Sequence, residues 1–96
     1  MRAALAYHHK ASLQDRYVLE MILYKVSALL QYPDGVKYRF IMVDINNNER
    51  VLMDNHYPKG PHIHINSKEM SYTYVDEVTL IEDFQMLVFK HMGVNI

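Results

Sequence analysis

The sequence predicts an α+β fold: an antiparallel β-meander of four to five strands with a C-terminal α-helix packed on one face. Three observations carry that expectation. Between residues 4 and 54, runs rich in tyrosine and β-branched side chains alternate with short polar turns. After Asp76, Ile81, Phe84, Val88 and Met92 recur at three- and four-residue intervals, the spacing of one helix face. Strands first and a single helix last is the order of an α+β domain, not of an alternating parallel one. The chain has 96 residues, half of them hydrophobic, which suits one domain, 1–96, with a modest core.

The elements follow in order. Residues 4–12 read as a first strand, although their alanines suit a helix too, and Gln14-Asp15-Arg16 turns the chain. Tyr17 to Val26, Y-V-L-E-M-I-L-Y-K-V, is apolar on both faces apart from Glu20 and Lys25. It reads as a central strand; the alternative is a buried helix, and the tyrosines and β-branched residues favour the strand. Ser27 to Gln31 is irregular or briefly helical. Tyr32-Pro33-Asp34-Gly35 is a turn, because proline presets one dihedral and glycine accepts positive φ. Val36–Ile45 and Arg50–Asp54 then form a hairpin around Asn46-Asn47-Asn48-Glu49, residues that tolerate left-handed geometry. Ile63–Asn66 is a short fifth strand, Ser67-Lys68-Glu69 a turn, and Tyr72–Val75 extended. Asp76 is a good N-cap, the helix runs from Glu77 to Met92, Glu82, Asp83 and Gln85 face water, and Gly93 ends it.

Composition narrows the function. There is no cysteine, which removes disulfides, thiolate nucleophiles and thiolate metal sites and fits a reducing compartment. No apolar run approaches the roughly 18 residues of a membrane span. The start is too short for a signal peptide before His8, His9 and Lys10 interrupt it, so a cytoplasmic protein with no membrane partner is expected. The net charge of −1 hides an asymmetry: residues 1–64 hold eight Lys/Arg against six Asp/Glu, and residues 65–96 two against five. The weakly basic body leaves room for a local phosphate-binding patch without predicting a general nucleic-acid binder.

Chemistry concentrates between Met53 and Asn66, M-D-N-H-Y-P-K-G-P-H-I-H-I-N. Asp54, Asn55, His56, Tyr57, Lys59, His62 and His64 gather there around a Pro-Lys-Gly-Pro turn. Pro58, Gly60 and Pro61 forbid a helix and bend the backbone into a loop able to carry a site. Taken with Lys37-Tyr38-Arg39, with Glu20 on the early strand and with Leu80-Ile81-Glu82-Asp83-Phe84, this segment resembles the TumE-like toxins of bacterial and archaeal toxin–antitoxin pairs. The resemblance implies a small cytoplasmic toxin neutralised by a cognate helix-turn-helix antitoxin. It leaves the molecular target open.

The residues allow three kinds of chemistry. The first is a metal-independent ribonuclease that needs no cofactor and takes RNA as its partner. His62 and His64, two residues apart, project from one face of an extended segment, so one can accept and the other donate a proton. Lys59 and Arg39 complete the catalytic set, with Lys37 beside Arg39 on one strand face to hold phosphate and Tyr57 to stack on a base. Asp54 and Asn55 join the substrate-binding set or, in the plainer alternative, fix the loop through side-chain-to-backbone bonds. Arg39 can equally pair with Glu20 across the sheet, and the histidine pair can be structural. The second chemistry is a metal site, with His62 and His64 joined by Asp54 or His56. The third is a non-catalytic module whose hairpin edge and helix bind the antitoxin while the loop only docks a cellular target; a homodimer is a further possible partner. Its eight tyrosines and seven methionines suit an adaptable surface, but Met21 and Met42 fall on apolar strand positions and read as core.

Overall fold

In the computed structural model, which describes residues 2–96, six strands and one helix follow one another. They are β1 (Ala3–Leu13), β2 (Tyr17–Val26), β3 (Val36–Asp44), β4 (Glu49–Asp54), β5 (His62–Ile65), β6 (Lys68–Ser71) and α1 (Glu77–Met92). The strands form one antiparallel sheet in the order β1-β2-β3-β4-β5-β6, so each pairs only with its neighbours in sequence.

The turns explain that simplicity. Gln14, Asp15, Asn48 and Asn66 all adopt positive φ, which the short polar side chains of the aspartate and asparagines tolerate. Asp44, at the end of β3, anchors two of these turns. Its carboxylate accepts from the Arg16 guanidinium at 3.1 and 2.9 Å and from the backbone N–H of Asn46 at 3.1 Å. That arginine bridge holds the Asp44 carboxyl below the usual carboxylate range.

Strand alternation sends one set of side chains to the helix and the other to the opposite face. On β2 and β3, Leu19, Met21, Leu23, Tyr38, Phe40 and Met42 are buried against Leu80, Phe84 and Val88 of α1. Phe40 and Phe84 meet edge-on with centroids 5.6 Å apart, an arrangement that adds to their burial. The helix lies across β3 and β4. Asp76 caps it by accepting from the Thr79 N–H at 2.7 Å, and Gly93, at φ 69°, closes it with an N–H to the Phe89 carbonyl. No helix among the described residues is long and apolar enough to cross a membrane.

The α+β order, the interior place of β2 and the helix bounds agree with the sequence, and Met21 and Met42 are core. Four expectations need correction. The sheet has six strands, not four to five, because Lys68 and Glu69 belong to β6 and the turn shrinks to Asn66-Ser67. The loop expected from Asp54 to His64 is shorter, since β5 already begins at His62 and puts both histidines on a strand. Arg39 lies opposite Ile22, not Glu20; Glu20 instead pairs with His8 at 3.4 Å. Asp83 does not simply face water: it is half-buried and accepts from the Tyr72 hydroxyl at 2.6 Å.

Candidate functional site

The face of the sheet turned away from α1 carries the site. Cross-strand register builds it: Arg39 stands opposite Asp54, Asp54 opposite His62, and His62 opposite Ser71. One row therefore crosses four strands, with Arg39 and His62 about 10 Å apart by strand spacing. The next row sets Leu52, His64 and Glu69 side by side.

The two histidines are not equivalent. His62 is 6% exposed. Its Nδ1 lies 2.6 Å from the Gly60 carbonyl, which can only accept, so this nitrogen carries the proton. Its Nε2 faces an Asp54 oxygen at 2.9 Å. Gly60, at φ 79°, lets the loop curl so that its carbonyl reaches the ring. His64 is half-buried and makes no hydrogen bond among the described residues; its ring stands edge-on to that of His62, with centroids 4.7 Å apart. Burial, and then the neighbouring His62, hold His64 below the usual imidazole range, so its ring is neutral at neutral pH.

The cations divide similarly. Lys59 is exposed and bonded to Glu69, whose carboxyl that ammonium holds below its ordinary range. Arg39 is exposed and makes no hydrogen bond or ion pair among the described residues. Lys37 shares its face, as expected, with its ammonium 5.9 Å above the Tyr32 ring.

Asn55 is buried and faces the protein. Its side-chain oxygen accepts from the Tyr38 N–H at 2.9 Å, and its amide donates to the Val36 carbonyl at 2.8 Å. These are the groups that β4 would have paired had it continued, so Asn55 finishes the ladder as the chain leaves the sheet. Tyr57 is exposed, with its N–H donating to the Tyr32 hydroxyl at 3.3 Å. It borders a cavity of about 230 Å³ between Leu30–Asp34 and the loop from Asn55 to Pro61.

Thus the structure brings His62, His64, Lys59 and Asp54 together, sets Arg39 one strand beyond Asp54, and turns Asn55 inward. His56 is exposed and outside the cluster. Sequence reasoning missed Glu69, whose carboxylate comes within 4.8 Å of nitrogens on both His62 and His64. The signal was present in Asn66-Ser67: a two-residue turn there places Glu69 opposite His64. No family model, curated protein or solved structure matches this chain.

Proposed function

We propose that this domain acts on RNA at the open face of its sheet, and that it does so as the cytoplasmic toxin of a toxin–antitoxin pair. The observation that carries the first part is His64: a neutral ring with no hydrogen-bond partner among the described residues, beside His62 held on Asp54. An imidazole in that state accepts a proton. In the proposed reaction it takes the proton of a ribose 2′-hydroxyl. The 2′-oxygen forms a bond to phosphorus, the bond to the 5′-oxygen breaks, and that oxygen takes a proton from Lys59. Arg39 and Lys37 neutralise the charge on the phosphate, and Tyr57 stacks a base beside the adjoining cavity. His62, buried and bonded at both nitrogens, acts by position.

The resemblance of the 37–64 motifs to the TumE-like family supports the toxin part. A surface for the antitoxin is offered by the outer side of α1 and its approach, where Val75, Val78, Met86 and Phe89 are exposed.

The test is a defined oligoribonucleotide incubated with the protein, its products resolved by terminal group. Cleavage to 2′,3′-cyclic phosphate and 5′-hydroxyl ends is expected. His64→Ala should lose about 10²–10⁴ in rate while melting as the parent does, and should relieve growth arrest on expression in a bacterium. A His64→Ala protein that still cleaves and still arrests growth removes His64 from the reaction.

A further inference from the structure

We infer that His62, His64 and Glu69 form a binding site for a divalent transition ion of the zinc class. One ligand atom from each of the three lies within 4.8 Å of the other two. They project from two adjacent strands joined by the Asn66-Ser67 turn, so the backbone fixes their spacing, with His64 directly opposite Glu69. Zinc bonds near 2.0–2.1 Å set ligand atoms about 3.3 Å apart, so a bound ion draws the three closer together. Glu69 is exposed, and its ion-pair partner is the exposed Lys59.

The second observation is independent of that spacing. The Nδ1–H of His62 donates to the Gly60 carbonyl at 2.6 Å, which leaves Nε2 as the nitrogen a metal would take. A backbone carbonyl on the far nitrogen is the outer partner that ligating histidines use to fix tautomer and orientation. Nε2 points at an Asp54 oxygen only 2.9 Å away. That contact is a hydrogen bond through the Nε2 proton, which an arriving metal would displace. His64, without a hydrogen bond among the described residues, supplies the second nitrogen.

Lys59 sharpens the inference. Its ammonium sits on Glu69, so the carboxylate is already compensated by a cation, one carried on an exposed and flexible stem. An arriving metal must displace it. Two imidazoles with one carboxylate select zinc-like ions over magnesium or calcium, which favour all-oxygen shells. A metal on the His64 lone pair also removes the base used in RNA cleavage, so a bound ion silences that reaction. Binding itself does not require the RNA reading to hold.

The experiment is a calorimetric titration of zinc chloride, and separately magnesium chloride, into the full chain in a non-chelating buffer. One zinc per chain and no magnesium binding are expected. His64→Ala and Glu69→Gln should each weaken zinc by at least about tenfold, whereas Lys59→Ala should tighten it because a competitor for Glu69 is gone. Replacing both His8 and His9, which lie away from the cluster on β1, should change nothing. Cobalt(II) on the unaltered chain gives a second readout: a visible absorption of a tetrahedral nitrogen–oxygen site, lost on adding zinc. Absence of zinc binding, or binding that survives His64→Ala and Glu69→Gln but disappears with His8 and His9, overturns the site. Lost metal binding with intact RNA cleavage, or the reverse, shows which of the two readings has failed.

Discussion

Replacing Asn55 with alanine should unfold this protein far more readily than its place in a surface loop implies. The side chain supplies two buried hydrogen bonds, from the Tyr38 N–H at 2.9 Å and to the Val36 carbonyl at 2.8 Å, and the residue is 4% exposed. Alanine leaves both backbone groups buried and unpartnered, at about 1–3 kcal/mol for each. A loss of about 2–6 kcal/mol is therefore expected, which at about 4–8 °C per kcal/mol for a domain of this size lowers Tm by at least about 8 °C. Asn55→Asp should be nearly as damaging. It keeps an acceptor for Tyr38 but sets a carboxylate oxygen against the Val36 carbonyl. With no tryptophan and eight tyrosines, the assay is urea unfolding followed by circular dichroism and tyrosine fluorescence. A change within about 0.5 kcal/mol, the range of ordinary surface substitutions, refutes the ladder-completing role and returns Asn55 to the substrate.

Two further outcomes rest on single features. Gly93→Ala should cost about 1 kcal/mol through backbone strain at φ 69°; a Cβ there meets nothing within 4 Å, so an unchanged melting curve would show that the helix end simply rearranges. For Asp44, the folded-state pKa lies below the unfolded one, so its contribution is fully present above the unfolded value near 3.9 and is lost as pH falls through the lowered folded value. Tm measured from pH 6 down to pH 2 should fall less steeply for Asp44→Asn than for the parent, from a lower starting point; parallel acid limbs would remove Asp44 from the acid response.

Most of the architecture could be read from the chain because its signals were local. Tyr17 to Val26 and Val36 to Asp44 carry β-branched and aromatic residues at strand density, and Asp76 and Gly93 bracket a clear apolar stripe. Strand β6 was hidden for a physical reason. Lys68, Glu69, Met70 and Ser71 are all exposed, so no inside–outside alternation marks them, and their pairing comes from β5 rather than from propensity. The site was half legible for the same cause. The spacing of His62 and His64 gives a shared face in any extended segment, but their unequal burial depends on the Gly60 carbonyl and on Asp54 across the sheet. Glu69 escaped together with its strand. Asn55 carries a side chain equally fit for substrate or backbone, and only the register of β3 and β4 decides which it meets.

The neighbour-to-neighbour order of the strands also governs how the protein comes together in time. Every ladder closes over a short connection, so the entropy of loop closure is met in small steps and the sheet can zip from any hairpin. Rapid assembly for a β-rich chain follows. The docking of α1 over β3 and β4 is the long-range event, and it comes after the sheet exists to receive it. Substitutions under the helix, such as Val88→Ala, should therefore speed unfolding and leave the folding rate nearly unchanged. Leu52→Ala, opposite Ile41 on the face of the β3–β4 hairpin turned away from the helix, should slow folding instead. The two arms of a denaturant chevron separate these outcomes.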